Sequence, residues 1–251
     1  MKVFIFTGPS LPRPAAQAIW RQPVYLAPVA QGDVYRIARR KPAAIGIIDG
    51  FFERLPSVWH KEILWALSKG IRVYGSSSMG ALRAAELSAY GMIGVGSIYE
   101  GYASGALTDD DEVTLAHAPA ANKYRAVSEP LVNIRYTLAK AAAAEIVSQP
   151  TAGALAQIAK ALFYPLRNYE KIIEEGLRAR LPAEELRNFR AWLPTGRVDQ
   201  KRLDAIALLT RMREDLRRRP PAQPPNFVFQ NTLFWVRLRR ASRASRSRRK
   251  S

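Results

Sequence analysis

The first ninety residues alternate short apolar β-rich runs with helical stretches, and that rhythm restricts the fold more than any other feature of the chain. Val3-Phe4-Ile5-Phe6, Val24-Tyr25-Leu26, Ala44-Ile45-Gly46-Ile47-Ile48-Asp49 and Ile71-Arg72-Val73-Tyr74 read as four strands. Helices are expected between them: from Pro14 to about Trp20, from Asp33 to about Arg40, and from Val58 to Lys69 with Ser57 as its N-cap. A further helix follows the small-residue turn Gly75-Ser76-Ser77-Ser78-Met79-Gly80. The third run is apolar almost throughout, as a strand covered on both faces must be. Short connections and a βα repeat predict an α/β fold with a mostly parallel, Rossmann-like sheet and helices on both faces.

After Gly91 the pattern changes. A short helix is expected at 95–103 and an irregular segment at 104–128; from Ser128, read as a helix cap, the chain becomes largely helical. Expected helices reach about Ser148 and then cover roughly 151–163, 165–178, 182–192 and 199–218. Prolines at 220, 221, 224 and 225 break the pattern, and 227–236 reads as a strand or short docking helix. The organisation read from sequence is an α/β core at 1–127, a helical region at 128–219, a Pro-rich linker and docking segment at 220–240, and a basic tail at 241–251 expected to be disordered.

Composition removes several chemistries. With no cysteine there is no disulfide, zinc–thiolate site, iron–sulfur cluster or thiol nucleophile, and two histidines cannot build a three-His metal site. Neither a Walker A sequence nor GxGxxG follows the first strand, which disfavours P-loop and dinucleotide binding. The acidic run Asp109-Asp110-Asp111-Glu112 suggests Mg²⁺, but four consecutive acids cannot all face one ion, so a solvated loop is expected and no metal or cofactor. The amino-terminal apolar run is too short for a secretory signal and no window suits a membrane span, so a soluble, cytoplasmic chain is expected. The net charge is +18, but eight of those charges lie between Arg237 and Ser251; nucleic-acid binding therefore ranks last among the readings.

In parallel α/β sheets ligands sit beyond the carboxyl ends of the strands. Three segments belong there: Thr7-Gly8-Pro9-Ser10, Asp49-Gly50-Phe51-Phe52-Glu53, and Gly75 to Gly80. The last has the small-x-Ser-x-small form of a nucleophile elbow centred on Ser78. Three readings stay open for it: a nucleophile, an anion cradle at a helix N-terminus, or plain capping. His60 or Asp49 would assist Ser78. The candidate binding residues are Thr7, Gly8, Ser10, Glu53, Ser76, Ser77, Gly80 and Arg83, and Arg83 is alternatively the i,i+3 partner of Glu86. The order Ser78, Asp110, His117 imitates a hydrolase triad but is too compressed to contain the usual intervening elements.

Several blocks together resemble the TfuA-like family: Gln31-Gly32-Asp33-Val34-Tyr35, Ile47 to Phe52, Pro56 to Ile63, Gly75 to Leu87 and Tyr90 to Gly96. Asp110-Asp111-Glu112-Val113, Tyr124-Arg125 and Ser128 to Arg135 add to it, so the resemblance spans about 3–140. It implies an accessory role beside a YcaO protein in backbone thioamidation, with a ubiquitin-like sulfur carrier as second partner and the precursor peptide as a further candidate. It also implies release of sulfide from the carrier's thiocarboxylate. Whether the chain is that hydrolase or a non-catalytic adaptor that activates YcaO and binds the carrier tail is open at this level.

Overall fold

The computed structural model describes residues 2–52, 55–218, 225–237 and 239. Glu53, the linker at 220–224 and the tail at 241–251 lie outside the described residues. The chain divides into two compact units, 1–106 with 204–251, and 107–203.

The first unit is an α/β layer structure. Its strands are β1 (Val3–Phe6), β2 (Val24–Leu26), β3 (Ala44–Ile47), β4 (Arg72–Ser76) and β5 (Ile93–Val95). All pairings are parallel and the order is β2-β1-β3-β4-β5. The parallel α/β expectation therefore holds, with a fifth strand that the glycine-rich stretch after Gly91 disguised. The helices are α1 (Arg13–Ile19), α2 (Asp33–Ala38), α3 (His60–Ser68), α4 (Met79–Leu87) and α5 (Ser97–Ala103).

Alternation along the strands sorts the core into two layers. Phe4, Phe6, Ile45, Ile47 and Val73 pack with Val34 and Ile37 of α2, Ile63 and Ala66 of α3, and Ala84 of α4. Val3, Ile5, Ala44 and Tyr74 point the other way, onto Ala16 of α1 and onto Ala205, Leu208, Leu209 and Met212. The last four belong to a long helix over Gln200–Arg218, most of which returns to cover this face of the sheet. Near the end of the described chain, a helical turn at 233–237 buries Trp235 against Tyr35 and Trp65, with ring centroids 5.1 and 6.1 Å away. That segment is thus a docking helix rather than a strand.

The second unit is helical: α6 (Leu131–Ala143), α7 (Gln149–Ala161), α8 (Tyr169–Arg178) and α9 (Ala183–Gly196) enclose Leu138, Leu155, Ile172, Ile173, Leu186 and Phe189. The helix over Gln200–Arg218 is α10. Two expected caps take other roles. Ser57 donates its hydroxyl to Phe51 O (2.9 Å), and Ser128 Oγ accepts from Ala116 N (2.8 Å). Asp109, Asp111 and Glu112 of the acidic run are paired with cations rather than simply solvated. Lys160 reaches Asp109 and Asp111 (2.6 Å each), Arg135 grips Glu112 through two bonds of 2.9 Å, and buried Arg167 pairs with Asp111.

Candidate functional site

Strand order reverses beside β1: the chain goes to β2 on one side and then to β3 on the other. The carboxyl ends of β1 and β3 therefore flank the switch point where such folds place ligands. Here the position is filled from within. Asp49, 2% exposed, projects from the end of β3; its Oδ2 accepts from Gly8 N (2.8 Å) and Ser10 N (3.1 Å), and its Oδ1 from Ser10 Oγ (2.6 Å). Thr7 Oγ1 donates to Leu11 O. Thr7, Gly8, Ser10 and Asp49 do come together, as a closed loop-holding network.

The same device recurs along this edge. Glu62 of α3 is fully buried and accepts from Gly32 N (2.7 Å), Tyr35 N (3.1 Å) and Trp59 N (3.2 Å), filling orphan donors at the starts of α2 and α3. Burial pushes its carboxyl up to about 7, although three N–H donors and Asp33 also act on it. Asp204 of α10, 3% exposed, accepts from Ile98 N (2.8 Å) at the start of α5. Gly96, the residue before that helix, has φ +96°, and a Cβ there would come within 2.4 Å of the Asp204 carboxyl carbon. Sequence reasoning passed over both carboxylates. Glu62 carries a signal, the three-residue spacing from the N-cap Trp59 that lets a Glu reach back to the N-cap amide. Asp204 has none, being more than a hundred residues from its partner.

The serine turn differs. Ser77 adopts φ +68° and Ser78 N donates back to Ser76 O (2.8 Å), making a tight bend from β4 into α4. The flanking glycines are obligatory. A Cβ on Gly75 would lie 2.1 Å from Gly80 O, and one on Gly80 would lie 1.8 Å from Ile47 O. Ser78 is the N-cap of α4 without capping it through its side chain, and the first turn of α4 carries no acid. The bend is joined to the β3 end: Gly80 N donates to Ile48 O (3.3 Å), and a Cβ on Gly50 would meet Met79 Cγ at 2.7 Å. All three serines are buried, and the hydroxyl of Ser76 is donated to Asp204 O (2.9 Å).

His60 lies elsewhere. It starts α3 and its Nε2 meets Glu86 Oε2 at 2.7 Å, while Arg83 Nη1 holds the same oxygen at 2.6 Å and Arg83 Nε donates to Val58 O (3.0 Å). Partial burial works to raise the Glu86 carboxyl, but the His60 bond and the Arg83 guanidinium hold it below its ordinary value. Glu86 is eight residues beyond Ser78, about 12 Å along the helix axis at 1.5 Å per residue. His60 is thus engaged with Glu86, and Asp49 with Gly8 and Ser10. His117 bonds the neighbouring Ala118 O through Nδ1 (2.9 Å).

A five-stranded parallel sheet with a strained serine bend at its carboxyl edge, and helix starts filled by buried carboxylates, defines an α/β protein in which the serine bend leads into α4. The family model described as TfuA-like protein matches residues 49–168, which includes the β3 end, α3, the serine bend and α4. Over that stretch the chain is similar to the TfuA-like family, in keeping with its sequence blocks, and this supports a role in the thioamidation system, where the family is associated with YcaO partners. No curated protein matches the chain. Among the described residues no helix is long and apolar enough to cross a membrane, and no group of three or more His, Asp or Glu side chains could hold a metal ion.

Proposed function

We propose that the protein supplies sulfide to a YcaO partner by receiving the thiocarboxylate end of a ubiquitin-like sulfur carrier at the head of α4, where water displaces the sulfur. The observation that carries this is the contrast along the sheet edge. The β1–α1 loop, α2 and α5 each have a buried carboxylate on their amides, whereas α4 begins with the serine bend and no acid in its first turn. An anionic tail matches the partial positive charge there. Water adds to the thioacyl carbonyl, the oxyanion forms against the α4 amides, and collapse expels the sulfur, which leaves with both protons that water brought, giving a carboxylate and hydrogen sulfide.

A serine acyl-enzyme fits less well, because a hydroxyl nucleophile needs a base and both expected bases are engaged elsewhere. The test is conversion of thiocarboxylated carrier to carboxylate, followed by mass spectrometry. Ser78→Ala is expected to raise KM with kcat changed less than about threefold, because it perturbs the cradle and not the attacking group. A collapse of kcat, or a trapped acyl adduct on Ser77 or Ser78, would replace water attack with the nucleophile reading. The engagement of His60 and Asp49 elsewhere also favours one other role, a non-catalytic adaptor. That reading wins if the purified protein never converts the carrier yet stimulates YcaO supplied with free sulfide.

A further inference from the structure

At the opposite, amino edge of the sheet lies a cavity of about 500 Å³ that none of the chemistry above uses. Val3 at the start of β1, Trp20 just after α1, and Leu216 near the end of α10 form its apolar wall. Arg21, Arg213 and Arg217 also line it, and among the described residues no carboxylate does. Arg213 donates Nη1 to Ile19 O (3.3 Å), but its Nε is buried without a hydrogen-bond partner. Arg21 and Arg217 form no salt bridge among the described residues. Trp235 Nε1 is the other buried side-chain donor left without a partner among the described residues, but only Arg213 Nε lies beside two cations without a salt bridge, and that grouping marks a place that wants an acceptor.

We propose that this cavity binds a small phosphorylated molecule with a planar apolar body, of nucleoside phosphate type. Three guanidiniums suit the multiple charge and several oxygens of a phosphate better than the single charge of a carboxylate, and guanidinium forks bond phosphate oxygens in pairs. The volume exceeds what a bare anion fills and falls in the range of small-molecule sites, which leaves room for a ring against Trp20, Val3 and Leu216. The site is independent of the carrier reading, since it lies at the other edge of the sheet and requires neither carrier nor YcaO.

Calorimetric titration of the full chain at 0.15 M salt decides it, with ADP, AMP, adenosine and inorganic phosphate as separate probes. ADP or AMP is expected to bind at least about tenfold more tightly than either adenosine or phosphate, since both halves of the ligand make contact. Arg213→Gln and Arg21→Gln should each weaken that binding about tenfold or more, as loss of a charge-assisted hydrogen bond does. Arg21 is exposed, so its variant keeps the test valid if Arg213→Gln folds poorly. Both variants retain the basic C-terminal run, so unchanged binding in Arg21→Gln would place the nucleotide on that run and overturn the proposal. Equal affinity for phosphate and ADP would overturn it in favour of a bare-anion site, and no binding by any probe would end it.

Discussion

The two edges of the same sheet treat charge in opposite ways. At the carboxyl edge Asp49, Glu62 and Asp204 are each more than nine-tenths buried, and each is spent on backbone amides of a loop or helix start. At the amino edge Arg21, Arg213 and Arg217 line a cavity without one carboxylate among them. A buried carboxylate with several N–H donors fixes backbone geometry because its removal strands those donors, whereas an exposed guanidinium such as that of Arg21 or Arg217 holds nothing in place until an anion arrives. At the edge where a fold of this order usually binds ligands, these three carboxylates have been turned into structure.

The largest expected effect breaks the carboxyl-edge half of that contrast. Asp49→Ala removes one side chain and strands three donors, Gly8 N, Ser10 N and Ser10 Oγ. Urea denaturation should show a loss of about 3–5 kcal/mol. Asp49→Asn, which keeps an acceptor oxygen, should lose less. A change below about 1 kcal/mol for the alanine variant would mean that the loop does not depend on this carboxylate, and would reopen Asp49 as a chemical group.

Glu62 sharpens the comparison through pH. Its carboxyl sits near 7 in the folded chain and near 4.5 when unfolded, so between those values the folded state binds more protons. Its contribution is fully present below about pH 4.5 and is lost as pH rises through 7, up to about 3 kcal/mol in all. Glu86 and Asp111, both shifted downward, act in the opposite direction and only at lower pH, where falling pH removes what their partners provide. Stability measured from pH 5 to 8 should therefore decline in the native chain and flatten in Glu62→Gln. An unchanged slope in the variant would assign the titration to another group.

Asp204→Ala is the next step down. It strands Ile98 N at the start of α5, and loss of such a cap costs about 1–2 kcal/mol. Hydrogen exchange should report faster opening of α5 with α2 unaffected, which distinguishes loss of this one cap from general loosening.

How much of this the sequence displayed follows from the range of each signal. The four strands before Gly75 and the helices between them are local patterns, and they appear where the hydrophobic runs put them. β5 was hidden because Gly91, Gly94 and Gly96 dilute a three-residue strand, and only pairing with β4 makes it a strand. The convergence of Thr7, Gly8, Ser10 and Asp49 was legible from topology, since all stand at strand ends. Their mutual satisfaction was not, because composition cannot say whether a carboxylate faces a ligand or a neighbouring amide. His60 looked near Asp49 in sequence, yet α3 carries it to Glu86 on α4. The return of α10 to the sheet is a contact across more than 120 residues and left no local trace, so Ser76 and Asp204 could not have been paired in advance.

The smallest effect tests the amino edge by its absence. Arg21→Gln and Arg217→Gln remove exposed cations that pair with no carboxylate, so stability should change by less than about 0.5 kcal/mol in either. Without a ligand nothing leans on those side chains; with ADP bound, the native chain should gain thermal stability that both variants lack, because a ligand that binds only the folded state raises its melting temperature. A substantial drop in the ligand-free variants would show that the guanidiniums are already structural. The two edges would then follow one rule, with each charge employed by the fold itself.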